Sequence, residues 1–394
     1  MPAKIVAEGN KVRYAVVAAG SISQEAWMPG VGQTTNSSIT AIITSDPEKG
    51  RELSKLYGGL KYYSYEEFDQ ALKEDTFDAL YIATPNWMHR QFAEPALLAG
   101  FHVLLEKPME VTEDDCKAIN AAAEKSGAKL MIAYRLHCEP STVEIVNRVR
   151  RGDIGDPRMF NSTFVIPLDE KNHRAKNGYH AGPVPDMGTY PINACRTIFG
   201  MEPIEVFAVG TKTPTKDFNF HDTVSVTLKF PNERVAHFLV SYSATLVNRY
   251  TVVGTQGEFN VDPCFVYGPG VGISYTSTID GKTETHKGPV VDHFGGQTDY
   301  FSKCIIEERP QSQTDTKVRN IGEDSIYNEP ILKAGTGWRD VRVIVAVKRA
   351  LETGQPQKLE EIESRRHMTE DQVRKFNLAK PPSKVINAAA PIKN

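Results

Sequence analysis

A lysine at the end of a predicted buried strand is the first residue of this chain whose position suggests chemistry. Residues 102–108 run from apolar side chains into Glu106, Lys107 and Pro108. Such an apolar run is typical of a parallel strand covered on both faces, and proline should end it because proline cannot donate to a sheet. Lys107 would then lie at the carboxyl end of the strand, where open α/β sheets bind ligands. Its ammonium could donate to a substrate hydroxyl and handle the proton, whereas the alternative is a solvated lysine paired with Glu106.

A second pair of candidates lies in the other half of the chain. Asp186 and Tyr190 have the four-residue spacing that puts two side chains on one face of a helix. A tyrosine phenol ordinarily has a pKa of about 10, so a tyrosine that acts as a base at neutral pH needs positive charge nearby. We predict Tyr190 as general acid or base, Asp186 as the residue that orients the substrate, and Lys107 as the residue that polarises its oxygen. The alternative is a helix-capping Asp186 and a core Tyr190.

The elements around Lys107 alternate between strands and helices, which predicts a parallel doubly wound sheet. Residues 12–19 predict its first strand, and the turn that follows could hold a dinucleotide pyrophosphate at a helix N-terminus. In the G-x-G-x-x-G register Ala18 takes the first glycine position, Gly20 the second and Ser23 the third. A glycine turn after a strand is common, so this motif is a weak signal alone. The predicted cofactor contacts here are Ala18, Gly20, Ser21 and Ile22.

The end of the second predicted strand bears on the choice of dinucleotide. Thr44 and Ser45 stand where an acid normally binds the ribose 2′-hydroxyl of NAD, and Lys49 follows closely. Hydroxyls with a nearby cation suit a 2′-phosphate better, so NADP(H) is favoured and NAD(H) is the alternative. Asp46 weakens this preference, because Ser45 or Asp46 could simply cap a helix.

The motifs taken together resemble one family, the sugar oxidoreductases grouped as Gfo/Idh/MocA. The matching residues are Thr84-Pro85-Asn86 with His89, Ala99-Gly100, Glu106-Lys107-Pro108, and Asp186-Met187-Gly188-Thr189-Tyr190 with Asn193, which is similar to the family's D-x-G-x-(Y/H)-x-x-N motif. The resemblance runs from about Val12 to Leu359. Within the family the chain is most similar to the glucose–fructose oxidoreductase (aldose oxidoreductase) branch, through residues 134–137, 202–206 and 241–243.

This resemblance implies an α/β fold in two parts. We expect an N-terminal Rossmann domain with a doubly wound parallel sheet over residues 1–133. A C-terminal α+β domain with a large open, mostly antiparallel sheet should follow over 134–359, with a final helix at about 338–352 that returns to the first domain. Residues 360–394 should form an extended arm that is disordered or wraps a neighbour. The family also implies a homodimer or homotetramer built through the C-terminal sheet.

The resemblance also extends the list of predicted site residues. The further cofactor contacts are Thr84, Pro85, Asn86, His89, Glu106, Lys107 and Arg135. The substrate contacts are Tyr134, His137, Arg174, His180, Asp186, Tyr190 and Asn193. Several have an ordinary alternative, because Arg135 could be an ion-pair partner, His89 a helix cap, and Arg174 or His180 a surface residue.

Composition excludes several other classes of protein. The chain has 394 residues and a formal net charge of −3, which gives no reason to expect nucleic-acid or membrane binding. No apolar run reaches the roughly 20 residues of a membrane span, and the N-terminus has no signal-like apolar region. The five cysteines are scattered and the ten histidines lack metal-ligand spacing. We therefore expect no metal and a cytoplasmic location, or a periplasmic one if a leader was removed.

The prediction for function is an NADP(H)-dependent sugar oxidoreductase that transfers hydride between nicotinamide and a pyranose carbon of an aldose or related cyclic polyol. In this branch the cofactor can stay bound between turnovers. One alternative is an NAD-dependent redox-assisted glycoside hydrolase. Another is a non-catalytic sugar or nucleotide sensor, against which the presence of both Lys107 and Tyr190 argues.

Overall fold

Two sheets organise the computed structural model, which describes residues 1–307, 337–362 and 368–388. The first sheet has six parallel strands in the order β3-β2-β1-β4-β5-β6. Its strands are β1 Val12–Val17, β2 Ser37–Ile43, β3 Lys61–Tyr63, β4 Ala79–Ile82, β5 His102–Leu105 and β6 Leu130–Ile132. Its helices are α1 Met28–Val31, α2 Pro47–Leu56, α3 Phe68–Ala71, α4 His89–Leu98 and α5 Glu113–Ser126. The predicted doubly wound sheet is confirmed.

The strand order of this sheet reverses between β1 and β4, which creates a crevice at the carboxyl ends of the strands. Strands β4 and β5 are buried along their whole length, which explains their unbroken apolar sequence. Helix α5 begins at Thr112, whose hydroxyl accepts a hydrogen bond from the Asp115 N–H, and ends at Gly127 in the left-handed region (φ 74°). These local signals fix where the site-bearing loops begin.

The second sheet has nine strands in the order β14-β13-β12-β11-β7-β10-β9-β8-β15. They are β7 Pro157–Val165, β8 Glu205–Thr211, β9 Thr223–Phe230, β10 Arg234–Ser241, β11 Val247–Gly254, β12 Gly257–Val261, β13 Tyr275–Ile279, β14 Lys282–His286 and β15 Gln357–Lys358. The β7–β10 pair is parallel and the other pairs are antiparallel, so the mostly antiparallel sheet is confirmed.

The described residues after β6 form four further α-helices: α6 Pro140–Arg150, α7 Thr189–Phe199, α8 His293–Ile306 and α9 Gly337–Thr353. Helix α9, which corresponds to the predicted final helix, contacts both β8 and α5 and so joins the two domains. Helix α8 was not predicted. It packs on the first sheet, where the Ser302 hydroxyl lies 2.8 Å from the Tyr14 hydroxyl and 2.7 Å from that of Ser37. Residues 134–359 therefore include a helix that covers the first domain, and the exact boundary stays a prediction.

The described end of the chain has no helix or strand beyond the short turn Glu370–Gln372. Residues 368–388 pack against the same chain, with Met368, Ala379 and Ile386 all buried. The remaining parts of the predicted arm, 363–367 and 389–394, lie outside the described residues. Among the described helices, none combines the length and the apolar character that a bilayer span requires.

Candidate active site

An ion pair joins the two domains across the crevice. Lys107 follows β5, and Asp186 lies in the single wide helical turn Val184–Gly188 that leads into α7. The Lys107 Nζ donates to the Asp186 backbone oxygen at 2.7 Å and to its Oδ1 at 3.1 Å. The two side chains are 12% and 23% exposed, so the pair is mostly buried yet open to the crevice. The two motifs that sequence analysis singled out therefore meet in one site.

Asp186 is held by more groups than the sequence indicated. Its Oδ2 accepts a hydrogen bond from the Tyr242 hydroxyl at 2.8 Å and lies 3.3 Å from the Nε of Arg174. Burial alone would raise the pKa of Asp186, but the positive charges of Lys107 and Arg174 outweigh burial and lower it below its usual range. We call Lys107, Arg174, Asp186 and Tyr242 the cleft cluster. Its carboxylate stays ionised at neutral pH and fixes the lysine.

The ammonium of Lys107 stays charged for the same reason. Burial lowers the pKa of Lys107, whereas Asp186, Tyr190 and Glu106 raise it by a larger total, so that the pKa lies above its usual value. A lysine in this state is a hydrogen-bond donor and a fixed positive charge, but not a base at neutral pH. Any proton that leaves a substrate must therefore go to another group.

Tyr190, the predicted general acid or base, lies beside Lys107. Its ring centroid lies 4.9 Å from the Lys107 Nζ and 5.4 Å from the Arg135 Cζ, and its hydroxyl accepts a 3.4 Å hydrogen bond from Arg135 Nη2. Phe164 and Phe265 pack on the ring, both at centroid distances of 5.6 Å. Two cations thus flank one half-buried phenol, an arrangement that stabilises negative charge on its oxygen.

Arg135 is placed beside Tyr190 rather than in the open crevice. It is buried, its Nη1 donates to His293 Nδ1 at 2.7 Å, and its Nη2 donates to the Phe265 carbonyl. Arginine can only donate, so Nδ1 of His293 must accept and the imidazole is neutral. Burial and then the Arg135 charge hold the pKa of His293 well below its usual value. The cofactor contact predicted for Arg135 stays a prediction. The contacts that the structure shows hold its guanidinium next to the Tyr190 hydroxyl.

The predicted cofactor residues line the carboxyl edge of the first sheet. Ala18 and Ala19 follow β1 with positive φ values of 77° and 47°, the left-handed conformation that glycine adopts more easily. A Cβ built on Gly20 would meet no atom within 4 Å, so the backbone there faces open space. The turn thus has open space beside Gly20 at the start of the following helical segment, and the predicted cofactor contacts of Ala18, Gly20, Ser21 and Ile22 stay predictions.

The second strand places its end residues at the adenosine side of this edge. Thr44 is buried, Ser45 is exposed, and Asp46 caps α2 by accepting the Lys49 N–H at 3.0 Å. The helix-cap alternative for Asp46 is therefore correct. Lys49 is half-buried, and burial lowers its pKa. The 2′-phosphate contacts predicted for Thr44, Ser45 and Lys49 stay predictions.

His89 holds two loops of this edge together from below. It is buried, its Nδ1 lies 3.0 Å from the Pro108 oxygen, and its Nε2 lies 3.2 Å from the Thr84 oxygen. Burial lowers the pKa of His89 to about 4, so the ring is neutral. Above it, Asn86 donates to the His180 carbonyl at 2.8 Å, which links the first domain to the loop before α7. Ser21, Ile22 and Pro85 are half-buried along the same edge.

Glu106 lies beside Lys107 but makes different contacts. It accepts a hydrogen bond from the Tyr81 hydroxyl at 2.8 Å, and the Tyr81 ring stacks on Trp27 at 4.1 Å. Burial raises the pKa of Glu106, and the Lys107 charge offsets only part of this shift. The carboxyl group therefore joins the end of β5 to β4 through Tyr81.

Three predicted substrate contacts belong to a separate network behind Tyr190. His137 Nε2 lies 2.7 Å from Asn193 Oδ1, Asn193 donates to Asp340 at 3.0 Å, and Tyr134 donates to the same carboxylate. We call Tyr134, His137, Asn193, Arg196, Glu202 and Asp340 the closed network, because all six residues are buried. The structure thus turns the polar atoms of Tyr134, His137 and Asn193 toward α9. Their substrate contact stays a prediction, and so does that of Arg174 and His180 at the half-buried rim.

Sequence reasoning missed Tyr242, Arg196 and Asp340. Tyr242 lies in a stretch that carried the family resemblance, but neither its spacing nor its residue type indicated contact with Asp186. No metal cluster accompanies the site: among the described residues there is no group of three or more histidine, cysteine, aspartate or glutamate residues that could bind an ion.

A six-stranded nucleotide-binding sheet with a lysine, an aspartate and a tyrosine at its carboxyl edge defines a dinucleotide-dependent oxidoreductase. Comparison with known proteins agrees. Residues 12–134 match the model of the oxidoreductase family with an NAD-binding Rossmann fold, and residues 142–260 match the GFO/IDH/MocA C-terminal domain. The chain belongs to the Gfo/Idh/MocA family of oxidoreductases.

Several relatives are similar over most of the chain. A D-xylose 1-dehydrogenase [NADP(+)] from Haloarcula marismortui is 28% identical over 88% of this chain and 93% of its own length. The crystal structure of an aldose-aldose oxidoreductase from Caulobacter crescentus, complexed with glycerol, superposes with a TM-score of 0.78 at 32% identity, covering 89% of this chain and all of that one. A 3-ketoreductase from Actinomadura kijaniata, at 20% identity and a TM-score of 0.74 over 87% of this chain and 98% of that one, shares the fold.

Proposed function

We propose that this protein is an NADP(H)-dependent sugar oxidoreductase that transfers hydride between nicotinamide and a pyranose carbon of an aldose or related cyclic polyol. The observation that carries the proposal is the cleft cluster beside a phenol flanked by two cations. The names of the xylose dehydrogenase and of the aldose-aldose oxidoreductase support the substrate class and, for the former, the nucleotide. The glycoside hydrolase and sensor alternatives are not favoured.

The residues divide the work of such a reaction between them. When bound, the nicotinamide accepts or donates the hydride at the sugar carbon. In the oxidation direction Tyr190 takes the proton of the reacting hydroxyl, and in reduction it returns that proton. Lys107 donates a hydrogen bond to the same substrate oxygen, while Arg135 and Lys107 stabilise negative charge on the phenol. Asp186 keeps the lysine charged and in place.

The outer face of the nine-stranded sheet supports a homodimer or homotetramer. Exposed apolar side chains stand on three of its strands, Met159 on β7, Phe207 and Val209 on β8, and Val235 on β10. Half-exposed threonine and serine residues of β9 and the exposed Lys229 stand between them. A contiguous face of this kind is typical of a protein interface. We propose that a second copy of the chain covers it.

We place the protein in the cytoplasm as part of the same proposal. All five cysteines are free and buried, which agrees with a reducing compartment. Fractionation of cells that express the chain tests this placement, and recovery in the periplasm would overturn it.

The function is tested by identifying the nucleotide in the purified protein and then supplying sugars. We expect denatured protein to release NADP(H), and aldoses to reduce bound or added NADP⁺. A clear kinetic preference for NAD⁺ would refute the nucleotide assignment. Failure to reduce NADP⁺ with a panel of aldoses and cyclic polyols would refute the substrate class, and release of an aglycone from glycosides without net nucleotide change would establish the hydrolase alternative.

A further inference from the structure

The segment Met368–Ala388 connects the rear of the active site to the cofactor turn, and we call it the C-terminal arm. Met368 is buried and lines a small cavity of about 30 Å³ that Tyr190 also lines. The Arg374 N–H donates to the Cys138 carbonyl at 3.1 Å, and its guanidinium pairs with Asp299 of α8 at 2.5 Å. The arm therefore begins next to the residues that support catalysis.

The arm next runs over the start of α8. The Asp292 N–H donates to the Phe376 carbonyl at 3.0 Å, and the Ala379 N–H donates to the Asp292 carboxylate at 3.0 Å. The same carboxylate caps α8 by accepting the Phe294 and Gly295 N–H groups. Hydrogen bonds to the first residue before α8 thus hold this part of the arm in place. The described arm has no helix or strand of its own beyond the short turn Glu370–Gln372.

A buried glutamine then ties the arm to the cofactor turn. Gln24 is 2% exposed and lies at the helical start that follows Gly20. Its Nε2 donates to the Ala19 carbonyl at 2.8 Å and to the Ile386 carbonyl at 2.9 Å, and its Oε1 accepts the Ile386 N–H at 2.8 Å. One side-chain amide therefore bridges the turn that would bind the pyrophosphate and the backbone of the arm.

A second tie lies at the start of α2. The Asn387 Nδ2 donates to Glu48 Oε2 at 3.1 Å. The N–H of Lys49 lowers the pKa of Asp46, and the Asn387 side chain adds to this effect. In doubly wound sheets the adenosine ribose lies between the first turn and the end of the second strand. Residues 386 and 387 span the two sides of that position.

We propose that the C-terminal arm closes over the adenosine half of the dinucleotide site, with Gln24 as its latch, and thereby limits the rate at which the cofactor leaves. The inference rests on the proposed function, because it concerns the cofactor that function requires. An irregular segment held by a few hydrogen bonds opens without global unfolding, so the cofactor exchanges when the arm lifts. The sugar end of the site, where Tyr190 and Lys107 lie, is reached independently of the arm tip.

The test measures release of NADPH rather than turnover. Protein saturated with NADPH is mixed with excess NADP⁺, and the loss of bound-NADPH fluorescence gives the dissociation rate. Three variants loosen the arm to different extents: Gln24→Leu removes the latch, Asn387→Ala removes the outer tie, and a chain ending at residue 383 removes both. Lys384→Ala, an exposed arm residue, is the matched control.

We expect Gln24→Leu and the shortened chain to release NADPH at least about tenfold faster. Each change removes two or more hydrogen bonds, and a tenfold change in rate corresponds to only a small change in free energy. Asn387→Ala should release it a few-fold faster, and Lys384→Ala at the original rate. Unchanged rates in both Gln24→Leu and the shortened chain would overturn the inference. Faster association with unchanged release would also overturn it, because the arm would then compete with the cofactor. If the full chain binds no NADPH, the proposed function itself fails.

Discussion

The molecule contains two sets of buried charges that differ in their access to the crevice. In the cleft cluster the side chains of Lys107, Asp186 and Arg174 are 12%, 23% and 29% exposed. In the closed network those of Arg196, Glu202 and Asp340 are 0%, 2% and 0% exposed. Both sets hold carboxylates against cations, yet only in the cleft cluster are the charged side chains open to the crevice. The two sets therefore differ in the exposure of their charged side chains to the crevice and not in the types of residue they contain.

The difference also predicts how each set responds to mutation. A fully buried ion pair adds little net stability over apolar packing, but losing one member leaves an uncompensated charge inside the protein. The closed network joins α7 to α9 through Arg196, Asn193 and Asp340, and α7 carries Tyr190. Mutations in the closed network should therefore reduce stability, and mutations around the crevice should reduce rate.

The largest effect is expected for Tyr190→Phe. Loss of the hydroxyl removes the group that exchanges the substrate proton, so kcat should fall by roughly 10²–10⁴. The ring and its packing on Phe164 remain, so the melting temperature should change little. Steady-state kinetics and thermal denaturation measure the two effects. The control is Tyr57→Phe in the first domain, and a normal kcat for Tyr190→Phe would refute the assignment.

Asp340→Asn should show the opposite pattern. Arg196 would keep Glu202 but lose the charge of Asp340, and breaking a buried pair costs about 3–5 kcal/mol. Denaturant titration should report this loss, while kcat per folded molecule should fall less than tenfold (roughly). Asp217→Asn is the matched control, since Asp217 pairs with Lys176 at an 84%-exposed position. A collapse of kcat with unchanged stability would erase the distinction between the two sets.

Acid should destabilise the fold through buried histidines before it affects the cleft cluster. Burial lowers the pKa of His102 to about 4 and outweighs the opposing effect of the hydrogen bond to the Lys4 carbonyl. The Nδ1 of the ring accepts the Lys129 N–H. In the unfolded chain the histidine has a pKa of about 6.5. The stability that the buried neutral imidazole contributes is therefore present above that pH and is lost as the pH falls toward 4. Asp186, with its lowered pKa, keeps its charge throughout this window.

The expected loss for His102 is about 3 kcal/mol between these limits, and unfolding free energies at a series of pH values measure it. His102→Gln should be less stable at neutral pH but should lose less stability on acidification. An acid transition of equal steepness in the variant would show that His102 does not contribute.

The smallest effect is expected at the cofactor turn, outside both sets of charges. Ala18 has a φ of 77°, and an alanine in the left-handed region is strained by about 1–2 kcal/mol. Ala18→Gly should therefore raise the unfolding free energy by about 1 kcal/mol after the entropic cost of glycine. Ala121→Gly, on the exposed face of α5, should lower it by a similar amount. A destabilised Ala18→Gly protein would show that the turn is not strained.

Some of this architecture was visible in local patterns. The apolar runs of β4 and β5 predict buried strands, and Pro108 predicts where β5 must end. Strands β13 and β14 were missed because threonine, lysine and glutamate dominate them, with little apolar alternation. Strand β14 lies at the edge of the sheet and β13 lies next to it. Strands of this kind gain their structure from pairing with their neighbours, and that pairing leaves no local signature.

The candidate site shows the same division. Lys107, Asp186 and Tyr190 were predicted from their motifs, whereas Tyr242 and Arg135 acquire their roles through contacts between distant segments. The polar atoms of Tyr134, His137 and Asn193 engage the closed network, which their motifs did not indicate, and their predicted substrate contact stays a prediction. A motif records which residue types occur together, but it does not record which way each side chain faces.

The sequence by itself determined the class of the fold and the family, because strand periodicity, chain breakers and ordered motifs act over short distances. Only the tertiary structure decided which charges reach the crevice, which are sealed behind α7, and where the C-terminal arm returns. Those outcomes depend on burial and on hydrogen bonds between residues far apart in the chain, such as Gln24 and Ile386. Such contacts become energetically significant only once folding has excluded water from around them.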